Sequence, residues 1–130
     1  MLDFFIIPYS PGKSTPRENI ILKNPKIKSR CACAPALFLC FDEICCVTKA
    51  RKGDKTMMDA LQPATEALLA AKDQGEAAMF AVAAAAAKAG SEATAQMQAK
   101  FGRARNLGER SIGAIDAGSA SMAVIFAAFA

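Results

Sequence analysis

Residues 76–100 have the sequence EAAMFAVAAAAAKAGSEATAQMQAK, in which alanine outnumbers every other residue. Alanine has the highest intrinsic helix propensity, and Met79, Phe80 and Val82 supply larger apolar side chains near the start. Small side chains also let neighbouring helices approach closely. The stretch therefore predicts a helix that lies between neighbours in a bundle, with Gly90 as its weak point.

The segment before this stretch predicts another helix. Thr56 can serve as its N-cap while Asp59, three residues later, reaches back, an arrangement called a capping box. Pro63 should bend this helix after its first two turns, and the helix should end between Lys72 and Gly75. Its predicted inner face consists of Met58, Leu61, Thr65 and Leu68.

A third helix is expected over residues 119–130, with apolar side chains nearly all round and hence burial on more than one side. These side chains are Met122, Val124, Ile125, Phe126 and Phe129. The three helices predict an all-α chain that forms part of an antiparallel helical bundle. Residues 1–52 contain no predicted helices with apolar faces that could pack against these three, so the sequence predicts half of a bundle.

Residues 1–52 differ sharply in composition from the remainder. They contain nine Lys and Arg against four Asp and Glu, five of the six prolines and all five cysteines. We predict a largely irregular, poorly ordered segment in which 31–47 forms at most one short helix or strand. The overall charge of +4 comes from this segment, and a solvated segment is a better explanation than a nucleic-acid or lipid partner.

No stretch is typical of a membrane span, because the apolar run 34–47 is short and contains Asp42 and Glu43. The first residues lack the pattern of a secretory signal, although a transit peptide over 11–30 stays an alternative. The cysteine spacing does not match a zinc site, so no metal site is expected and the thiols should be reduced. These features favour a cytoplasmic protein without a membrane or nucleic-acid partner.

Residues 101–122, FGRARNLGERSIGAIDAGSASM, combine four glycines with three arginines. Arginine presents a rigid cationic fork that suits phosphate or carboxylate. Asp116 can cap the third helix, whose first backbone N–H groups would then face this loop. The stretch therefore predicts an anion-binding loop, whose arginines are Arg103, Arg105 and Arg110.

Two motifs in this order resemble the L subunit of dihydroxyacetone (glycerone) kinase. They are GDKTM at Gly53–Met57 and LGERSIG at Leu107–Gly113. The resemblance runs from about Gly53 to Ala130 and does not include residues 1–52. It implies that 53–130 is the C-terminal half of an L-type nucleotide-binding domain, a helical bundle that holds ADP or ATP at one end, and that the chain is truncated.

The resemblance also implies which residues bind ADP. They are Met57 of GDKTM, Arg103 of the GRA segment, and Asp116, Ala117 and Gly118 before the last helix. The family usually has proline where Ala117 stands, which loosens the turn but keeps the acidic cap and the glycine. We expect these five residues to form half of the nucleotide site.

The other half of the family's site is missing from this sequence. In the family, magnesium ions bound by aspartates of a GDGDHG-type motif hold the phosphates, and this chain has neither that motif nor any histidine. Thr48 also replaces a glycine of the family. Because phosphoryl transfer depends on such ions, we predict no catalytic residues and no kinase activity by the chain alone.

The resemblance implies a K-type subunit or domain as partner, since that component holds dihydroxyacetone, and a phosphocarrier protein where ADP is rephosphorylated in place. The alternative is a non-catalytic helical interaction module whose arginine loop only binds an anion. A further hypothesis is that the front segment comes from a misassigned reading frame.

Overall fold

The computed structural model describes residues 33–130, and all regular structure within them is helical. The α-helices are α1 Cys33–Val47, α2 Met58–Ala70, α3 Glu76–Ala93 and α4 Ala117–Phe129, with 3₁₀ segments at Thr94–Gln96 and Arg103–Ser111. The predicted all-α class is confirmed. Residues 1–32, on which most of the predicted irregular segment falls, lie outside the described residues.

Helices α2, α3 and α4 pack as an antiparallel bundle. The end of α3 lies against the start of α2. At the opposite end of the bundle, Phe80 near the start of α3 stacks on Phe129 at the end of α4, with ring centroids 5.5 Å apart. Helix α1 adds Leu37, Phe41 and Ile44 to the same core. The sequence left a helix or a strand open for 31–47, and the structure has a helix.

One half of the predicted capping box is present at the start of α2, where Asp59 reaches back to Thr56, but the N-cap residue is Met57 and not Thr56 as predicted. The Thr56 N–H donates to Asp59 Oδ2 at 2.8 Å, and the Met58 N–H donates to Thr56 Oγ1 at 3.2 Å. The helix itself begins at Met58 and ends at Ala70, slightly before the predicted end. The predicted inner face is correct, because Met58, Leu61, Thr65 and Leu68 are all buried.

The helix predicted over 76–100 is shorter in the structure. Helix α3 ends at Ala93, and the chain tightens into a 3₁₀ turn before Met97 becomes extended. The Thr94 hydroxyl donates to the Ser91 carbonyl at 2.6 Å, so a side chain competes with the backbone for that acceptor. High helix propensity therefore does not carry the helix past the threonine.

Gly90, predicted as a weak point, lies at a close contact between α2 and α3. A Cβ at this position would lie 2.1 Å from the Asp59 carbonyl oxygen and 3.0 Å from Pro63 Cγ. The helices approach here to a distance that no side chain permits. The glycine therefore serves packing, and its low helix propensity is secondary.

The prediction that α4 is buried on more than one side is wrong within residues 33–130. Phe126 is buried, whereas Val124 is 69% exposed and Phe129 is 64% exposed. Helices α2 and α3 cover only one side of α4, so its remaining apolar side chains face outward. None of the helices in this part of the chain combines the length and apolar character that crossing a bilayer requires.

Candidate functional site

The segments that carry the five predicted ADP-binding residues meet at one end of the bundle. Helices α2 and α4 begin at this end and α3 ends there, because Gly118 lies against Met57 and Ser119 Oγ lies 3.1 Å from Ser91 Oγ. Two irregular segments cover it, the turn Gly53–Met57 and the loop of residues 97–116.

A single buried carboxylate shapes the turn Gly53–Met57. Asp59 Oδ1 accepts the Gly53 N–H at 2.6 Å, and its Oδ2 accepts the Thr56 N–H. Hydrogen bonds to an ionised acceptor are roughly twice as strong as neutral ones. The turn is therefore fixed on the first turn of α2, which holds Met57 in place.

Lys55 lies inside this turn and is only 3% exposed. Its Nζ donates to the carbonyl oxygens of Met97, Ser111 and Ala114, and its backbone φ of 58° is in the left-handed region, unusual for a residue other than glycine. The side chain thus connects the turn to both ends of the loop of residues 97–116.

A buried hydroxyl network joins the end of α3 to the start of α4. Asp116 caps α4 as predicted, since its Oδ2 accepts the Ser119 N–H at 2.8 Å. The Asp116 N–H donates to Thr94 Oγ1 at 2.9 Å, and Ser119 Oγ lies within hydrogen-bonding reach of both Ser91 and Thr94. The cap is therefore held from two directions.

Four of the five predicted site residues lie together. A Cβ on Gly118 would stand 3.3 Å from Met57 Cβ and 3.1 Å from Asp116 Oδ2, and Ala117 lies between Asp116 and Gly118 in the chain. Arg103 begins the 3₁₀ segment of the neighbouring loop, is exposed, and makes no ion pair within residues 33–130. Its guanidinium is therefore open to an anion.

The charges beside the turn are paired. Asp54 accepts the Arg51 N–H at 2.7 Å and forms an ion pair with Lys100 at 3.0 Å. The hydrogen bond from the Arg51 backbone, followed by that from Lys100, lowers the pKa of Asp54 below its ordinary value. The stability that Asp54 contributes is thus present at neutral pH and is lost as the pH falls through the lowered pKa.

Sequence reasoning missed Lys55, Thr94 and Ser119, three polar side chains that, together with Asp59 and Asp116, hold this end together. Lys55 stands in the GDKTM motif, so the motif was the available signal, but its partners are 42 to 59 residues away. Thr94 and Ser119 stand in stretches typical of helix, where a hydroxyl gives no sign of its partners.

Magnesium prefers oxygen ligands such as carboxylates. Within residues 33–130, no group of three His, Cys, Asp or Glu side chains is placed to hold a metal ion. These residues therefore form no cage of three or more protein ligands for a metal ion, although magnesium that keeps its waters needs only one or two carboxylates. A nucleotide would find an apolar surface and a free acceptor at this end, because the half-buried Met57 packs closely against Gly118 beside Asp116, whose Oδ1 makes no hydrogen bond to the described residues.

The family model described as the DAK2 domain matches residues 30–130. The chain belongs to the DAK2 domain family. The match begins ahead of Gly53, where the motifs had placed the start of the resemblance, and it includes helix α1. The resemblance to the L subunit of dihydroxyacetone kinase is thereby confirmed.

Three relatives illustrate what this DAK2 domain is similar to. D-erythrulose kinase of Mycolicibacterium smegmatis is 42% identical over 86 residues, 65% of this chain and 15% of that protein. Dihydroxyacetone kinase 1 of Saccharomyces cerevisiae is 42% identical over 78 residues, 60% of this chain and 12% of that protein. The ADP-binding subunit DhaL of the PEP-dependent dihydroxyacetone kinase of Escherichia coli is 43% identical over 76 residues, 57% of this chain and 36% of that protein.

This chain therefore spans well under half the length of each of these relatives. All three relatives are kinases or kinase subunits by name.

Proposed function

We propose that this DAK2 domain binds ADP or ATP at the end of the bundle where α2 and α4 begin. The observation that carries the proposal is the convergence of Met57, Asp116 and Gly118, where the missing side chain of Gly118 lets the starts of α2 and α4 approach closely. The relative from Escherichia coli, which is named an ADP-binding subunit, supports the same assignment.

The chemistry of each residue suggests its part in binding. Asp116 already neutralises the start of α4 through its bond to Ser119, so its free oxygen Oδ1 suits a donor, such as a ribose hydroxyl or a base amino group. Met57 offers a polarisable apolar surface to the nucleoside. Arg103 then binds the phosphates, because its planar guanidinium can donate two hydrogen bonds to phosphate oxygens.

Phosphoryl transfer needs more than these residues supply. Because the sequence has no GDGDHG-type motif, we propose that acidic magnesium ligands come from outside residues 33–130 before transfer to a dihydroxyacetone-like substrate occurs. A K-type subunit or domain that holds this substrate is the proposed partner, with a phosphocarrier protein as the alternative phosphoryl donor to ATP. A cytoplasmic location stays a prediction.

Replacing Gly118 with alanine should weaken ADP binding more than it changes the stability of the fold. The new methyl group would lie 3.3 Å from Met57 Cβ and 3.1 Å from Asp116 Oδ2, so both side chains must shift and we expect the dissociation constant for ADP to rise at least about tenfold. This crowding opposes the gain in helix propensity of up to about 1 kcal/mol, so we expect the free energy of unfolding to change by about 1 kcal/mol or less. Isothermal titration calorimetry and urea unfolding measure the two effects separately.

The matched control is Ser121→Ala. Ser121 is exposed one turn further along α4 and donates to its own helix at the Ala117 carbonyl, so its loss should leave ADP affinity unchanged. If Gly118→Ala binds ADP as tightly as the unsubstituted chain, nucleotide binding does not depend on the positions of Met57 and Asp116.

A second candidate function is a non-catalytic interaction module, favoured by the apolar side of α4. Val124 and Phe129 are exposed there, and a groove of about 380 Å³ runs between α3 and α4. Exposed apolar patches commonly mark protein contacts. The groove is lined by Ala84, Ala85, Lys88, Ala123, Val124 and Ala127. Association with a K-type partner in the absence of any ADP binding would favour this candidate.

A further inference from the structure

Lys55 is the most deeply buried cationic group within residues 33–130, and no carboxylate of the described residues pairs with it. Its three ammonium hydrogens meet three acceptors, the carbonyl oxygens of Met97 at 3.2 Å, Ser111 at 2.5 Å and Ala114 at 2.6 Å. A lysine ammonium has three donors and no acceptor, so its hydrogen-bonding capacity is used completely.

The three acceptors lie on both sides of the arginine-bearing segment. Met97 precedes Arg103, whereas Ser111 and Ala114 follow Arg110. Lys55 thereby closes residues 97–114 into a loop whose two ends are fixed on the turn that carries Met57.

Other contacts within the described residues support only the base of this loop. The Gly113 N–H donates to the Ala95 carbonyl at 2.7 Å, the Ala99 N–H donates to Ser111 Oγ at 3.0 Å, and Lys100 binds Asp54. Further out, the segment is mostly exposed. The position of Arg103 relative to Met57 therefore depends on how firmly the base is held.

We propose that Lys55 is a positioning residue of the nucleotide site. By binding both ends of the loop, it sets the place of Arg103 relative to Met57 and Asp116, and so acts on the nucleotide through Arg103. This inference rests on the proposed nucleotide binding. The presence of a lysine in the GDKTM motif does not by itself indicate this role for Lys55.

The substitution that tests it is Lys55→Met, since methionine is unbranched like lysine but donates no hydrogen bond. In the full 130-residue chain, trypsin cleavage after Arg103 and Arg105 under native conditions, followed by mass spectrometry, should accelerate at least about tenfold, because a released loop opens more often. Leu68→Ala is the control for general destabilisation, because Leu68 is fully buried on α2 away from the loop. It should not raise this cleavage beyond what its loss of global stability accounts for.

Titration with ADP then separates a positioning role from a merely structural one. Lys55→Met and Arg103→Ala should each raise the dissociation constant for ADP about tenfold. Because Lys55 acts through Arg103, the double variant should bind ADP about as tightly as either single variant. A residue that supports only folding would instead weaken binding by the same factor with or without the arginine. Lys55→Gln, which keeps two donors, replaces Lys55→Met in the same cycle if the methionine variant does not fold.

The outcomes separate this inference from the function on which it rests. Additive effects in the double variant, or unchanged trypsin cleavage, with ADP still bound by the unsubstituted chain, would overturn the inference alone. Failure of the unsubstituted chain to bind ADP would overturn the proposed function and the positioning role together.

Discussion

Replacing Gly90 with alanine is expected to destabilise the chain by about 2 kcal/mol or more, although alanine is the better helix former. The added Cβ would lie 2.1 Å from the Asp59 carbonyl oxygen, where contacts between carbon and oxygen need more than 3 Å. Helices α2 and α3 must therefore move apart, which loosens the core around Met58 and Ala87. A loss of this size lowers the melting temperature by roughly 8–16 °C for a domain of this length.

The comparison that isolates packing from propensity is Ala89→Gly. Ala89 is exposed on the neighbouring position of α3, so its replacement removes helix propensity alone and should cost about 1 kcal/mol. Urea unfolding of both variants gives the two free energies. A Gly90→Ala chain that is more stable than the unsubstituted chain would show that α2 and α3 do not approach as closely as described.

Replacing Thr94 with valine should cost about 1–3 kcal/mol, because it removes the hydroxyl on which the cap of α4 depends. The Thr94 hydroxyl accepts the Asp116 N–H at 2.9 Å and donates to the Ser91 carbonyl at 2.6 Å. Valine has nearly the same shape but leaves the Asp116 N–H without its acceptor, whereas the Ser91 carbonyl still accepts a backbone N–H at the end of α3. The start of α4 should become less ordered as well.

Thr65→Val is the matched control for this prediction. Thr65 is also a fully buried threonine, but its hydroxyl donates only to the Leu61 carbonyl of its own helix. That carbonyl keeps its place in the helical ladder, so we expect a loss below about 1 kcal/mol. Equal losses in the two variants would mean that the Thr94 network contributes nothing beyond an ordinary buried hydroxyl.

The features that the sequence predicted correctly are local ones. The hydrogen bond from the Thr56 N–H to Asp59 and the cap formed by Asp116 each involve residues three positions apart. Their geometry follows from helix termini, which leave free N–H groups that such side chains satisfy. Neighbouring residues therefore carried enough information to place the starts of α2 and α4.

The features that the sequence did not reveal depend on contacts between distant segments. The role of Gly90 follows from how closely α3 crosses α2, and the role of Lys55 follows from where residues 97–114 fold back. Apolar side chains on nearly all sides of α4 predicted burial on more than one side, but a sequence pattern does not reveal how many helices pack against it. The family resemblance supplied the grouping of Met57 with Asp116, which no local pattern contains.

The most direct test of the account is the thermal unfolding of the 130-residue chain, followed by circular dichroism with and without ADP, each with and without magnesium. A ligand present at a hundredfold excess over its dissociation constant stabilises the folded state by about 2.7 kcal/mol. Nucleotide binding at this end of the bundle predicts a cooperative transition whose midpoint rises by roughly 11–22 °C at that excess of ADP, and a smaller rise for Gly118→Ala. An unchanged midpoint at saturating ADP would contradict nucleotide binding at this end of the bundle, leaving membership of the DAK2 family without that activity.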